Sequence, residues 1–205
     1  MHTNFAVSKV AVLGAGVMGA QIAAHFGNAG IPVVLFDLKS SSGHANEILN
    51  KAIAGLQKLN PKPIASGQTL TYITPANYDD NIELLKDCDL IIEAIAERLD
   101  WKEALYSKIA AHVKPNAIIA SNTSGLSIQV LANSLPQQLR SRFCGIHFFN
   151  PPRYQKLVEL IPHNKTNPNI LDNLEEFFTR YLGKGVIRAF DTPNFIANRV
   201  GVFSM

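Results

Sequence analysis

An α/β fold is expected, with a doubly wound, mostly parallel sheet carrying an antiparallel edge, and three features of the 205 residues predict it. Short β-branched and aliphatic runs alternate with segments of helical periodicity, the pattern of strands joined by covering helices. A glycine-rich turn separates the first run from the first helix. After Phe143 two apolar runs follow each other across a Pro-Pro turn, too closely for a helical crossover, so they read as an antiparallel pair.

Lys9 to Leu13 reads as a buried strand ending at Gly14. A helix is expected from Val17 to Asn28, with Met18, Ile22 and Phe26 on one face and Gly30 as its stop. Ile31 to Phe36, closed by Asp37, completes a βαβ unit. A polar helix over Ser42 to Leu59 gives way to a loop marked by Pro61, Pro63 and Gly67. A short strand at Thr71 to Thr74, a buried strand at Asp89 to Glu93, a helix over Asp100 to Val113 and a strand at Ala117 to Ala120 follow. Phe143 to Phe148 and Leu157 to Ile161 form the pair across Pro151-Pro152. A helix over Pro168 to Leu182 leads through Gly183 to a strand at Val186-Ile187, and Pro193 opens a last helix. Repeats and low-complexity tracts are lacking.

Composition narrows the function classes. Hydrophobic residues make up 47% and charged residues 17%, enough apolar side chain to fill a core. Nineteen basic and sixteen acidic residues are scattered, without the basic stripe of a nucleic-acid binder, so no nucleic-acid partner is expected. Cys88 and Cys144 lie apart in apolar stretches and read as buried reduced thiols. The first apolar run begins too early for a secretory signal and no run is long enough for a membrane span, so a cytoplasmic protein is expected.

Gly14-Ala15-Gly16-Val17-Met18-Gly19 is a GxGxxG turn, weak alone and stronger between a strand and a helix. Gly14 permits the tight turn, Gly16 lets the backbone approach a pyrophosphate, and Gly19 lets the helix pack on the sheet. The helix start offers free N–H groups to the phosphates. Asp37 stands 21 residues beyond Gly16, where a carboxylate accepts hydrogen bonds from ribose hydroxyls and repels a 2′-phosphate. A Rossmann-type domain binding NAD in preference to NADP is therefore expected. Lys39 is the one nearby base arguing otherwise, and reads as a solvated charge.

Polar residues also collect where the strands end. Ser121-Asn122-Thr123-Ser124 follows one strand, His147-Phe148-Phe149-Asn150-Pro151 ends another, and Glu159 lies on the next, twelve residues past His147. A tight turn lets His147 and Glu159 face each other across the antiparallel pair as a base and its orienting carboxylate.

Together with Leu157-Val158-Glu159 and Asp191-Thr-Pro-Asn-Phe-Ile-Ala-Asn198-Arg199, these motifs resemble in order those of the 3-hydroxyacyl-CoA dehydrogenase family, over nearly the whole chain. The resemblance implies NAD-dependent oxidation of an L-3-hydroxyacyl-CoA to the 3-oxoacyl-CoA in fatty-acid β-oxidation. It implies His147 as acid/base, Glu159 as its partner, and Ser124 and Asn198 near the substrate oxygen. Its cofactor contacts match Gly14, Gly16, Val17, Met18, Gly19, Asp37, Ala94, Ile95, Ala96, Glu97, Lys102, Asn122, Ser124 and Asn150. It further implies residues 1–190 as the NAD-binding domain, 191–205 as linker and first helix of a truncated helical substrate and dimerisation domain, and a longer protein, homodimeric or multifunctional. Phe195, Ile196, Val200 and Phe203 are then expected to be left exposed.

Plainer readings exist for single residues. His147 alone would read as a structural hydrogen bonder, Ser124 as a helix cap, Trp101 as packing, and Asn198 as a brace for its helix. His2, His25, His44, His112 and His163 stand in no metal-ligand pattern, and no metal is expected. Two departures from the family pattern are Asn194 in place of its usual glycine and the polar stretch Arg153 to Lys156. Other NAD-dependent hydroxy-acid dehydrogenases, which tend to use a lysine base, and a non-catalytic NAD-binding module are the alternatives.

Overall fold

Four aliphatic residues, Val10–Leu13, form β1, every one of them buried. The computed structural model describes residues 6–203, and side chains as far as residue 201; His2 and the side chain of Phe203 lie outside it. Helix α1 spans Val17–Asn28 and β2 Val33–Asp37, completing the expected βαβ unit. Further on come α2 (Glu47–Gly55), β3 (Ile73–Asn77), β4 (Leu90–Glu93), α3 (Leu99–Ile109) and β5 (Ile118–Ser121). Two short helices, α4 (Ile128–Asn133) and α5 (Gln137–Arg140), precede β6 (Phe143–Phe148) and β7 (Leu157–Ile161). The chain then forms α6 (Pro168–Leu182), β8 (Gly185–Arg188) and α7 (Ala197–Phe203).

The strands make one sheet in the order β3-β2-β1-β4-β5-β6-β7-β8. Strands β1 to β6 pair in parallel, β7 runs antiparallel to β6, and β8 returns parallel to β7 through α6. The reversed edge is thus two strands wide. Its first six positions follow the dinucleotide-binding order, in which the winding reverses beside β1 and opens a crevice at the strand ends.

Alternation along each strand feeds two cores. Val10 and Val12 pack on one side of the sheet with Ile22 and Phe26 of α1 and Phe177 and Phe178 of α6. Ala11 and Leu13 pack on the other with Tyr106 and Ile109 of α3 and Leu131 of α4. Each Leu, Ile or Phe so buried is worth roughly 1.5–3 kcal/mol. Helix α6 shows the local logic: Asn167 caps its start by accepting from Asn169 N, Pro168 opens it, and Gly183 ends it at φ 64°. Its buried residues Ile170, Leu171, Leu174, Phe177, Phe178 and Leu182 recur at helical spacing.

Several elements differ from expectation. The Ser42–Leu59 helix begins only at Glu47, because Ser40 N donates to Ala45 O and Gly43 sits at φ 76°, turning the serine-rich run. The short strand at Thr71 runs from Ile73 to Asn77 and includes Pro75, which β3 tolerates as the edge of the sheet. The last helix starts at Ala197 rather than Pro193, since Asn194 and Phe195 adopt φ 64° and 49°. A left-handed residue explains why glycine suits position 194, and asparagine is among the side chains that best tolerate it. Ile196 and Val200 are exposed as expected, but Phe195 is 2% exposed, its ring edge-on to His147. Trp101 is not packed away either: it is 52% exposed beneath the Arg98 guanidinium. Both cysteines are free, and burial pushes their thiols up to about 12. Among the described residues no helix is long and apolar enough to cross a membrane, and no cluster of three or more His, Cys, Asp or Glu is placed to hold a metal.

Candidate active site

The glycine turn closes β1 onto α1 at the crevice. Gly14 has φ 107°, and a Cβ there would lie 2.8 Å from Ala94 O; at Gly19 it would lie 1.8 Å from Gly14 O. Side chains are thus excluded at both positions. At Gly16, by contrast, a Cβ would meet nothing, since this residue faces open space. Gly16 is also the N-cap of α1, with no side-chain cap and no acidic residue in the first turn, so the helix start is left to an anion. Val17 is exposed and Met18 half-buried in that turn.

A cleft of about 520 Å³ opens here, lined by Gly14, Gly16, Asp37, Ala94, Ile95 and Ala96, together with Leu38, Tyr78, Trp101 and Lys108. Asp37 accepts from Ala15 N at 2.6 Å and from Leu38 N at 2.7 Å, which fixes the carboxylate while each oxygen keeps acceptor capacity. Tyr78, 5% exposed and stacked on Phe36, has a hydroxyl without a hydrogen-bond partner among the described residues. An exposed helix start, a close glycine cradle, an acceptor for ribose hydroxyls and an orphaned hydroxyl together fit a dinucleotide such as NAD.

His147 is the fifth residue of β6 and pairs in register with Glu159 of β7. Its Nδ1 lies 2.7 Å from Glu159 Oε2, and both residues are buried, at 4% and 0% exposure. The other oxygen, Oε1, accepts from Ile196 N at 3.0 Å and Ala197 N at 2.8 Å. Burial alone would push this carboxyl up; the hydrogen bonds from His147, Ala197 N and Ile196 N outweigh it and hold its pKa below the usual carboxylate range. Phe149 packs on the imidazole with ring centres 4.4 Å apart.

Neighbouring loops brace this pair. Asn122 Oδ1 accepts from Phe148 N at 2.9 Å, tying the end of β5 to the strand that carries His147. Ser124 is exposed and its N–H donates to Glu97 Oε1 at 2.8 Å; Gly125 N and the Thr123 hydroxyl donate to the same oxygen. Burial raises the Glu97 carboxyl, but these donors and Lys102 prevail and lower its pKa. Ser124 is not the helix cap. That part falls to Ser127, whose Oγ accepts from Val130 N, helped by Asp191, which accepts from Ile128 N and Gln129 N. Asn150 is exposed and accepts from Gln21 Nε2 at 3.2 Å. Asn198 is half-buried in the first turn of α7, directly after the Ala197 amide held by Glu159.

Lys102 stands apart from the cleft. It is 1% exposed, its Nζ lying 2.6 Å from Glu93 Oε1 and 3.5 Å from Glu97 Oε2. Glu93 also accepts from Tyr106 OH at 3.0 Å, Ser121 Oγ at 2.6 Å and Ile95 N at 2.8 Å. This hub was not anticipated; the only local signal was a glutamate closing an otherwise apolar strand. The polar Arg153–Lys156 stretch also has a structural account. Arg153 Nη1 donates to Lys62 O and Ile64 O, Tyr154 OH donates to Lys62 O, and buried Lys184 donates to Pro152 O and Gln155 O. Desolvation draws Lys184 down to about 8. The loop after the histidine is thereby pinned by backbone carbonyls.

Residues 9–192 match the model of the family described as 3-hydroxyacyl-CoA dehydrogenase, NAD binding domain. A probable 3-hydroxyacyl-CoA dehydrogenase of Bacillus subtilis is 42% identical, covering all of this chain and 28% of its own length. A putative fatty acid oxidation complex trifunctional enzyme of Rickettsia felis is 44% identical over 96% of the chain, again 28% of its own length. A 3-hydroxybutyryl-CoA dehydrogenase structure from Escherichia coli superposes with a TM-score of 0.82 at 34% identity, covering 96% of this chain and 41% of that one. The chain therefore spans little more than a quarter of the length of these two relatives.

Proposed function

This chain belongs to the 3-hydroxyacyl-CoA dehydrogenase family, matching its NAD-binding domain, and on that premise we propose that it forms the cofactor half of an enzyme oxidising L-3-hydroxyacyl-CoA to 3-oxoacyl-CoA. The buried His147–Glu159 pair carries the reading. Residues 1–190 serve as the NAD-binding domain and 191–205 as the linker and first helix of a helical substrate domain, within a longer protein of fatty-acid β-oxidation. A trifunctional relative supports such a multifunctional setting.

The chemistry follows from proton placement. A carboxylate held ionised by two backbone amides draws the imidazole proton to Nδ1, leaving the lone pair on Nε2. Nε2 takes the proton of the C3 hydroxyl, and Glu159 stabilises the imidazolium that results. NAD, when bound, supplies the acceptor for the hydride from C3. Ser124 and Asn198 contribute a hydroxyl and an amide as donors to the developing carbonyl oxygen. Glu97 keeps the Ser124 loop in place through its three donors. The free helix start at Gly16 and the acceptors of Asp37 orient the cofactor.

His147→Gln in the full-length protein tests this reading. Reduction of acetoacetyl-CoA by NADH is expected to slow by roughly 10²–10⁴-fold, the usual worth of a general acid/base, with NAD affinity nearly unchanged. Near-normal turnover would refute the assignment.

A further inference from the structure

Beyond β3 the chain turns through Asn77, Tyr78, Asp79 and Asp80, and Asn77 shapes the turn. Its Oδ1 accepts from Asp79 N at 3.1 Å and Asp80 N at 2.8 Å, while its Nδ2 donates to Asp80 Oδ2 at 3.1 Å. Tyr78 lines the cleft beside Asp37 and Leu38. Two lysines flank the same end: Lys108 lines the cleft from α3, and Lys39 follows Leu38 in the chain. Each is held by one aspartate of the turn. Lys39 Nζ lies 2.8 Å from Asp80 Oδ1, and Lys108 Nζ lies 2.8 Å from Asp79 Oδ1.

Stability gives little reason for these two pairs, whose side chains are 43% to 56% exposed, where solvent screens an ion pair and holding it costs side-chain freedom. Their position gives a better one. A dinucleotide carrying a 2′-phosphate brings that group to the carboxylate at the end of β2, and such ligands are accommodated by a nearby cation. Here both of these lysines are already engaged, and the aspartates engaging them sit side by side on a turn rigidified by a buried asparagine, 1% exposed.

We propose that the Asp79–Asp80 turn is a specificity element, which withholds Lys39 and Lys108 from a 2′-phosphate and so reserves the cleft for dinucleotides that lack one. The inference rests on the reading of this cleft as the cofactor site, and it adds a second determinant to Asp37. Asp37 refuses the phosphate by its own charge. The turn refuses it by removing the groups that could compensate.

Calorimetric titration of the 205-residue chain with NAD and with NADP, before and after Asp79→Asn/Asp80→Asn, tests it. The ratio of NADP to NAD affinity is expected to rise on the order of tenfold in the double variant, because a freed lysine makes a charge-assisted contact with the phosphate. Adding Lys39→Ala and Lys108→Ala in that background is expected to cancel the rise, and high salt to blunt it. A ratio unchanged within about twofold, or a rise that survives loss of both lysines, overturns the inference and leaves the NAD reading standing. Failure of the unaltered chain to bind NAD overturns both.

Discussion

Glu93, which closes β4, and Glu159, midway along β7, are both fully buried carboxylates, yet their partners differ in kind. Glu93 is enclosed by four donors: Lys102, Tyr106, Ser121 and the Ile95 amide. Burial, then the Glu93 charge, raises Tyr106 well above its ordinary value. Glu159 has two backbone amides on one oxygen and, on the other, an imidazole whose second nitrogen is not taken up by the pair. Burial of a carboxylate therefore does not mark the chemistry. What sets Glu159 apart is its imidazole partner, the proposed acid/base.

The contrast can be broken most forcefully at Lys102. Lys102→Met leaves Glu93 enclosed without its cation, and stripping one partner from a buried ion pair costs about 3–5 kcal/mol. Urea unfolding should show a loss of that order, largely recovered in Glu93→Gln/Lys102→Met; a loss under about 1 kcal/mol for the single variant would mean that Tyr106 and Ser121 suffice. Glu159→Gln sharpens the comparison with a smaller effect. One amide oxygen cannot serve both the His147 Nδ1–H and the Ile196 and Ala197 amides, so about 1–3 kcal/mol should be lost with the charge-assisted bonds. Amide exchange at Ile196 and Ala197 should quicken along with the fall in turnover. If turnover falls while both amides stay as protected as before, Glu159 acts on His147 alone.

How much of this was legible follows the locality of the interactions. Strands β6 and β7 matched their expected bounds because both are short, mostly apolar runs separated by a Pro-Pro turn. The facing of His147 and Glu159 then followed from a twelve-residue separation across that turn. Gly14, Gly16 and Asp37 of the cleft were legible for the same reason, since glycine spacing and strand ends are local features, and Ala94 to Ala96 came from the family likeness; Leu38, Tyr78, Trp101 and Lys108 were not foreseen there. Helices α4 and α5, six and four residues long, are shorter than the window in which periodicity can be read. Pairings across the sequence left no trace either. Lys39 read as a solvated charge, yet its partner Asp80 lies 41 residues away; the amides that hold Glu159 belong to the backbone, which has no side-chain signature.

The gentlest way to sharpen the comparison uses a second histidine. His25 of α1 is 7% exposed, nearly as buried as His147, but among the described residues neither of its ring nitrogens has a hydrogen-bond partner. It packs edge-on against Phe148, the neighbour of His147 in β6. Burial first, then the charges of Lys184 and Arg153, draw its pKa from 6.5 down to about 3. The folded value lies below the unfolded one, so below about pH 6.5 the unfolded chain takes up a proton that the folded chain refuses. Stability from this residue is whole above that pH and drains away as pH falls toward the folded value, by at most about 1.4 kcal/mol per pH unit. Glu159, whose pKa is also lowered, adds to the loss only at more acid pH, where carboxylates titrate. His25→Leu should therefore flatten the fall of the urea midpoint between about pH 6.5 and 5, before the carboxylates begin to titrate. Parallel curves for the two proteins over that range would show that water or a local opening reaches His25 and lets it protonate in the folded chain, and the difference between a partnered and an unpartnered buried histidine would then be smaller than the geometry implies.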